Sequence, residues 1–182
     1  MSTTHTLLTL EAFSKLPEYD ERTGERYELD HGELITLPPQ PRIHEIVKNL
    51  IGQLLMFFLR DHGLAGQVLI ESGYVLDEDS WRRPDVSYVR RKLQGSWDEP
   101  LEFAPDLSIE VVSPSDSEPA LKRKADHFLA SGSKTVWLIY PNAKEAQILR
   151  VGVRAVKLGP EDFLEEPDLL PGFRVKVREL FP

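Results

Sequence analysis

Three side chains in this sequence could share one piece of chemistry: Asp85, Glu110 and Lys124. Asp85 stands in Arg83-Pro-Asp-Val-Ser-Tyr, where a strand is expected to begin. Glu110 follows 25 residues later, within the apolar run Leu107-Ser-Ile-Glu-Val-Val. Neighbouring strands could bring the two carboxylates together at one end of a sheet. Close carboxylates repel, and each raises the other's pKa unless a cation sits between them. Oxygen donors without Cys or His suit Mg²⁺ or Mn²⁺. Such an ion polarises a phosphoryl oxygen and lowers the pKa of a bound water. A backbone carbonyl near Glu110 could add another oxygen. Lys124 lies three residues after Leu121 and four before Phe128, along the edge of an apolar helical face. From there its ammonium could orient water or stabilise charge on a phosphate. A plainer reading stands beside this one. Asp85 could pair with Arg82 or Arg83, and Glu110 with Lys124 alone.

The elements that must position these groups can be read from periodicity. Leu107, Ile109 and Val111 alternate with Ser108, Glu110 and Val112, so Glu110 faces away from Leu107 and Ile109. Apolar residues on both faces predict a strand covered on both sides. A carboxylate placed there needs a partner, because an unpaired buried charge is costly. Ser115-Asp116-Ser117-Glu118 has capping-box spacing, and Pro119 suits a first helical turn, so a helix is expected up to about Ser131 with Gly132 ending it.

Upstream, Ile43, Ile46, Val47, Leu50, Ile51, Leu54, Leu55 and Phe58 predict a long amphipathic helix that stops at His62-Gly63. Strands are expected over 66–76, 83–89, 106–112 and 135–140, with a loop over 93–102. Near the N-terminus, Thr9 can cap a short helix over 10–16. Residues 26–37 form a hairpin turning at Asp30-His31-Gly32. A hairpin around Gly152, a Pro/acid loop and a last strand over 173–177 complete the chain. The fold class is α/β (α+β): helix, three strands, helix, strand, in a mixed sheet flanked by helices and decorated with hairpins.

The 182 residues predict a single domain with a full core, and the 41% hydrophobic and 29% charged content is ordinary for a globular chain. No cysteine is present, which excludes disulfides, thiol catalysis and zinc–thiolate sites. No apolar run is long enough for a membrane helix, and the first residues lack a secretory pattern, so a cytoplasmic location is expected. The net charge of −8 opposes a general nucleic-acid coat protein. The charge is unevenly placed, however. Arg82, Arg83, Arg90, Arg91 and Lys92 bracket one stretch, Lys122, Arg123 and Lys124 form another, and acids crowd 161–168. That distribution fits either a local polyanion groove or two solvated surfaces. No glycine-rich phosphate loop, Ser-His-Asp order or zinc pattern appears.

His44 reads as a surface or boundary histidine of the long helix, and Glu28 and Glu33 as hairpin charges, although Glu28 could reach a metal. Trp81, Trp97 and Trp137 read as packing rather than base-stacking residues. Ser113 and Ser115 read as turn and cap residues.

Taken together, several motifs carry a resemblance: Arg83-Pro-Asp-Val-Ser-Tyr, Pro105-Asp-Leu-Ser-Ile-Glu-Val-Val-Ser-Pro-Ser, Lys124 four residues before Phe128, Gly132, and Val136-Trp-Leu-Ile-Tyr-Pro. With Tyr27-Glu-Leu-Asp-His-Gly-Glu-Leu, His44 and Leu170-Pro-Gly-Phe, the chain resembles the Uma-type putative restriction endonuclease family over nearly its whole length. That family belongs to the PD-(D/E)XK nuclease superfamily. The resemblance implies a restriction-endonuclease-like core over 41–141, an N-terminal extension over 1–40 and C-terminal strands over 142–182. It implies metal-dependent hydrolysis of phosphodiester bonds, with DNA as the nucleic-acid partner.

Asp85 then matches the first acid of the motif and Glu110 the second. Val111 takes the intervening position, whose carbonyl would join Asp85 and Glu110 as a metal ligand. Val112 stands where the superfamily's usual lysine would be, and the displaced lysine is Lys124. A homodimer is expected by analogy, since cutting two strands often uses paired sites. Two other classes remain open at this stage. One is a nuclease-fold binding module without hydrolysis, which the net acidity and Val112 favour. The other is a carboxylate-pair hydrolase acting on sugars.

Overall fold

His44, Val47, Lys48, Ile51, Gly52, Leu55 and Leu59 are buried along one stripe of α2 (Arg42–His62), and that stripe seats the helix on the main sheet. The helix ends where Gly63 takes a left-handed conformation at φ 62°. The computed structural model describes residues 7–93 and 99–182. Chain order begins with α1 (Leu10–Phe13) and the hairpin β1 (Arg26–Asp30) and β2 (Glu33–Leu37). After α2 come β3 (Gln67–Ile70), β4 (Tyr74–Asp77), β5 (Ser80–Arg82), β6 (Val86–Val89) and β7 (Leu107–Val111). Then follow α3 (Glu118–Ala130), β8 (Thr135–Tyr140), β9 (Glu145–Arg150), β10 (Val153–Leu158), β11 (Phe163–Glu165), β12 (Arg174–Lys176) and a 3-10 turn at Val177–Leu180.

The main sheet has the order β10-β9-β8-β7-β6-β3. Only the β7–β8 pairing in it is parallel, and α3 is the crossover between those strands. Val47, Ile51, Leu55 and Leu59 of α2 share a core with Ile109, Val111, Trp137 and Ile139. On the opposite face Ala125 and Phe128 of α3 pack on Val136 and Leu138. Strand alternation thus sends Ile109 toward α2 and Glu110 toward α3. A second sheet, β2-β1-β5-β4, joins the N-terminal hairpin to β4 and β5. Its two turns are locked together: His31 donates its backbone N–H to Ser80 Oγ at 2.9 Å, and Gly32 N–H donates to the Asp79 carbonyl at 2.8 Å. Left-handed φ values at His31 (48°) and Gly32 (78°) make the tight two-residue turn.

The helix–three strands–helix–strand core runs through α2, β3, β6, β7, α3 and β8. Several boundaries differ from the expectation. The strand expected over 66–76 is two strands in two different sheets, because the chain turns out at Glu71, with φ 52°, through Gly73. Part of the expected Pro/acid loop is β11, paired with β12, and the last strand ends at Lys176 and becomes the 3-10 turn. The N-terminal helix closes at Phe13 rather than Leu16, and α3 is capped by Ser117 rather than Ser115. Trp137 is fully buried, and Trp81 stacks under the Arg83 guanidinium at 4.8 Å. Trp97 and half of the expected 93–102 loop lie outside the described residues.

Leu55 is fully buried in the main core, whereas Met56 is 39% exposed. Leu55→Ala should therefore lower unfolding stability by about 3 kcal/mol, and Met56→Ala by no more than about 0.5 kcal/mol. Urea denaturation measures both, and equal losses would contradict this placement of the helix.

Candidate active site

The register of β6 and β7 sets Val86 opposite Ile109, so Asp85, one residue earlier, comes beside Glu110 at the end of the strands. Asp85 Oδ2 accepts the Val111 backbone N–H at 2.7 Å, which ties the loop before β6 to β7. The same oxygen lies 3.1 Å from Nε2 of His44. His44 is therefore no surface residue; its side chain is 3% exposed, in phase with Val47, Ile51 and Leu55 on the inward stripe of α2. Asp85 is paired with neither Arg82 nor Arg83. Arg83 reaches Glu18 instead.

Glu110 projects to the other face and meets α3. Lys124 Nζ donates to Glu110 Oε2 at 3.0 Å, to the Arg83 carbonyl at 2.9 Å, and pairs with Glu28 Oε1 at 2.8 Å. Those three acceptors match the three donors of an ammonium. Glu28, on β1, is only 1% exposed, and it also takes the Arg83 N–H at 3.1 Å and Arg82 Nη1 at 3.2 Å. Lys122, by contrast, pairs with Asp126 on the surface of α3.

Three carboxylates, Glu28, Asp85 and Glu110, therefore surround one lysine. Burial works against the Lys124 ammonium, but Glu110, Glu28 and Asp85 outweigh it and hold the pKa above the ordinary lysine value. The converse holds at Glu110: burial first, then repulsion from Asp85 and Glu28, pushes its carboxyl well above the usual range despite Lys124. The two directions pull apart for one ion pair, and both follow from the same shortage of positive charge. Glu110 Oε1 shows the shortage locally. It lies 3.0 Å from Nζ but outside hydrogen-bonding alignment, and it is buried without a hydrogen-bond partner among the described residues.

The residues fit a hard divalent cation on that ground. An orphaned carboxylate oxygen and an excess of negative charge are what such an ion relieves. Three donor groups do not converge here as they do at two clusters further along the second sheet. Mg²⁺ does not require that, since it keeps several waters and uses one or two carboxylates. The acids line a cleft of about 350 Å³ whose rim carries Arg26, Arg83 and Arg123. A larger hollow of about 880 Å³ lies around Phe13, Tyr27 and Trp81, and it contains neither Asp85 nor Glu110. The smaller cleft holds the acid–lysine cluster. Its mouth is framed by a second network, in which buried Lys48 pairs with Glu45 and Glu71 at 2.7 Å each and Arg26 also meets Glu71.

The fold and this acid–lysine cluster at the strand ends define the class of protein. The chain belongs to the Uma2 family, described as putative restriction endonuclease, whose model matches residues 10–178. The crystal structure of a putative nuclease belonging to DUF820 from Anabaena variabilis is similar in fold, with a TM-score of 0.82 and 22% identity. That likeness covers 96% of this chain and 97% of the other. None of the curated proteins compared matches.

Of the residues singled out from sequence, Asp85, Glu110, Val111 and Lys124 meet in one cleft. His44, Arg82 and the weight of Glu28 were missed. The phase of His44 on the helix could have exposed it; nothing local could have paired Arg82 with Glu28.

The raised carboxyl of Glu110 has a sign for stability. Between the unfolded value near 4.3 and its higher folded pKa, the folded state binds the extra proton. Without metal, its contribution to stability therefore falls as pH rises through that window. Glu110→Gln should become more stable relative to the parent as pH rises above the ordinary carboxylate range. Chemical denaturation along a pH series measures this, and a parallel pair of curves would contradict it.

Proposed function

We propose that the chain is a Mg²⁺- or Mn²⁺-dependent endonuclease that hydrolyses DNA phosphodiester bonds. The observation that carries this reading is the buried, under-neutralised carboxylate cluster of Asp85 and Glu110 beside Lys124. The family description supports nuclease chemistry in general. When bound, the ion would supply Lewis acidity toward a phosphoryl oxygen and a more acidic water.

Asp85, Glu110 and the Val111 carbonyl would hold the ion. His44 fixes the Asp85 carboxylate through the 3.1 Å contact, and the Val111 N–H fixes it from the strand side. Lys124 is saturated at rest. Glu110 would offer its unpartnered Oε1 to the cation while Oε2 keeps Lys124, whose ammonium would stabilise charge developing on a nearby phosphate. Glu28 and the Arg83 carbonyl keep that ammonium in place. Arg26, Arg83 and Arg123 at the rim offer phosphate contacts that the overall negative charge does not. Among the described residues no helix is long and apolar enough to cross a membrane. A cytoplasmic homodimer fits the proposed cutting of both strands.

The saturation of Lys124 also supports a second reading, in which the cluster is structural and the chain is a nuclease-fold binding module. Cleavage of supercoiled plasmid with Mg²⁺ or Mn²⁺ separates the two. The parent should cut, and Asp85→Ala and Glu110→Ala should each lose at least about 100-fold in rate. Equal rates in all three would end the enzymatic reading. A scattering mass near twice the single-chain 20.8 kDa is expected, and a monomer would contradict the dimer.

A further inference from the structure

A second group of titratable side chains lies on the far side of Arg82, where both turns of the second sheet meet α3. His127, one turn beyond Lys124 on α3, is 9% exposed. Its Nε2 lies 2.9 Å from Asp77 Oδ2. An imidazole that donates one ring N–H to a carboxylate presents an unprotonated lone pair at the other nitrogen. That other nitrogen, Nδ1, is buried and has no hydrogen-bond partner among the described residues. It points toward Asp30 Oδ1, 3.8 Å away. The His31 ring stacks beside it with centroids 4.9 Å apart. Donor atoms of Asp30, His31 and His127 all lie within 4.8 Å of one another.

A buried imidazole lone pair facing a carboxylate is an uncompensated arrangement unless a proton or a cation lies between them. Tetrahedral donors about 2.0–2.1 Å from a zinc ion stand roughly 3.4 Å apart, so small side-chain rotations close the gap. Two imidazoles with one carboxylate select zinc-like ions over Mg²⁺.

We propose that His31, His127 and Asp30 form a second divalent-cation site, one that takes Zn²⁺ or a similar transition metal, with Asp77 orienting His127. Asp30 also lines the Asp85–Glu110 cleft, but the site uses none of the ligands proposed there. Asp30 Oδ1 also receives Arg82 at 2.5 Å, so its carboxylate bridges guanidinium and cation through different lone pairs. The bound ion clamps the β1–β2 turn to α3. It sits at the outer end of a line of ion pairs running from Asp30 through Arg82 and Glu28 to Lys124.

Zn²⁺ titration of the metal-stripped full chain by calorimetry, with 10 mM Mg²⁺ present, tests the site, and Zn²⁺-dependent thermal melts run alongside. The parent and Asp85→Asn should both bind Zn²⁺ and melt at higher temperature with it. His31→Ala, at a side chain 67% exposed, should bind at least tenfold more weakly and lose the melting shift, with circular dichroism checking that the left-handed turn still folds. His127→Gln should do the same, with circular dichroism checking its fold. The proposal is overturned if His31→Ala binds Zn²⁺ as the parent does, if Asp85→Asn abolishes all Zn²⁺ binding while folded, or if the folded parent binds none.

Discussion

Lys124 stands among three carboxylates, of which Glu28 is paired with Arg82 as well. Lys124 meets Glu28 and Glu110 directly and feels Asp85 nearby. Much of the fold can be understood as the means of sustaining that arrangement. Glu28 comes from the N-terminal hairpin, Asp85 from the loop before β6, Glu110 from the middle of the sheet, and Lys124 from the crossover helix. Each acid has its own tether. Glu28 is held by Arg82 and the Arg83 N–H, and Asp85 by His44 and the Val111 N–H. Glu110 alone is left with a buried oxygen that nothing hydrogen-bonds. Such an unsatisfied, buried carboxylate is the feature on which the proposed cation site rests.

The sheet makes the convergence possible because its two faces are covered by different helices. Residue alternation along β7 gives Ile109 to α2 and Glu110 to α3. At the strand end Asp85 reaches the α2 side through His44, so side chains from opposite layers come within reach of one point. The second sheet adds the third acid. It also carries Arg82, a buried guanidinium that links Glu28 to Asp30 and so links the cleft to the paired turns beyond. A single line of ion pairs, Lys124–Glu28–Arg82–Asp30, therefore runs from the hard-oxygen cluster to the imidazole cluster.

How much of this was legible in the sequence depended on the range of the signal. Glu110 on a doubly covered strand and Lys124 on the edge of a helix follow from local periodicity, and the architecture around them followed with those elements. His44 was misjudged because a polar residue was assigned to the outer face by type. Its spacing to Val47, Ile51 and Leu55 put it on the inner one. The split of residues 66–76 between two sheets turns on a left-handed Glu71, a conformation no glycine or asparagine announces there. The three-residue β11 lies between prolines and is too short for alternation to register. The Arg82–Glu28 pair joins residues 54 apart in the chain, and no spacing rule reaches that far.

In the proposed function Asp85 and Glu110 together form a cation site. Anomalous diffraction from crystals soaked in Mn²⁺ addresses it without recourse to activity. A peak coordinated by oxygens of both Asp85 and Glu110 is the predicted result. Well-ordered carboxylates with no ion between them, while Lys124 keeps its contacts to Glu28 and Glu110, would contradict it.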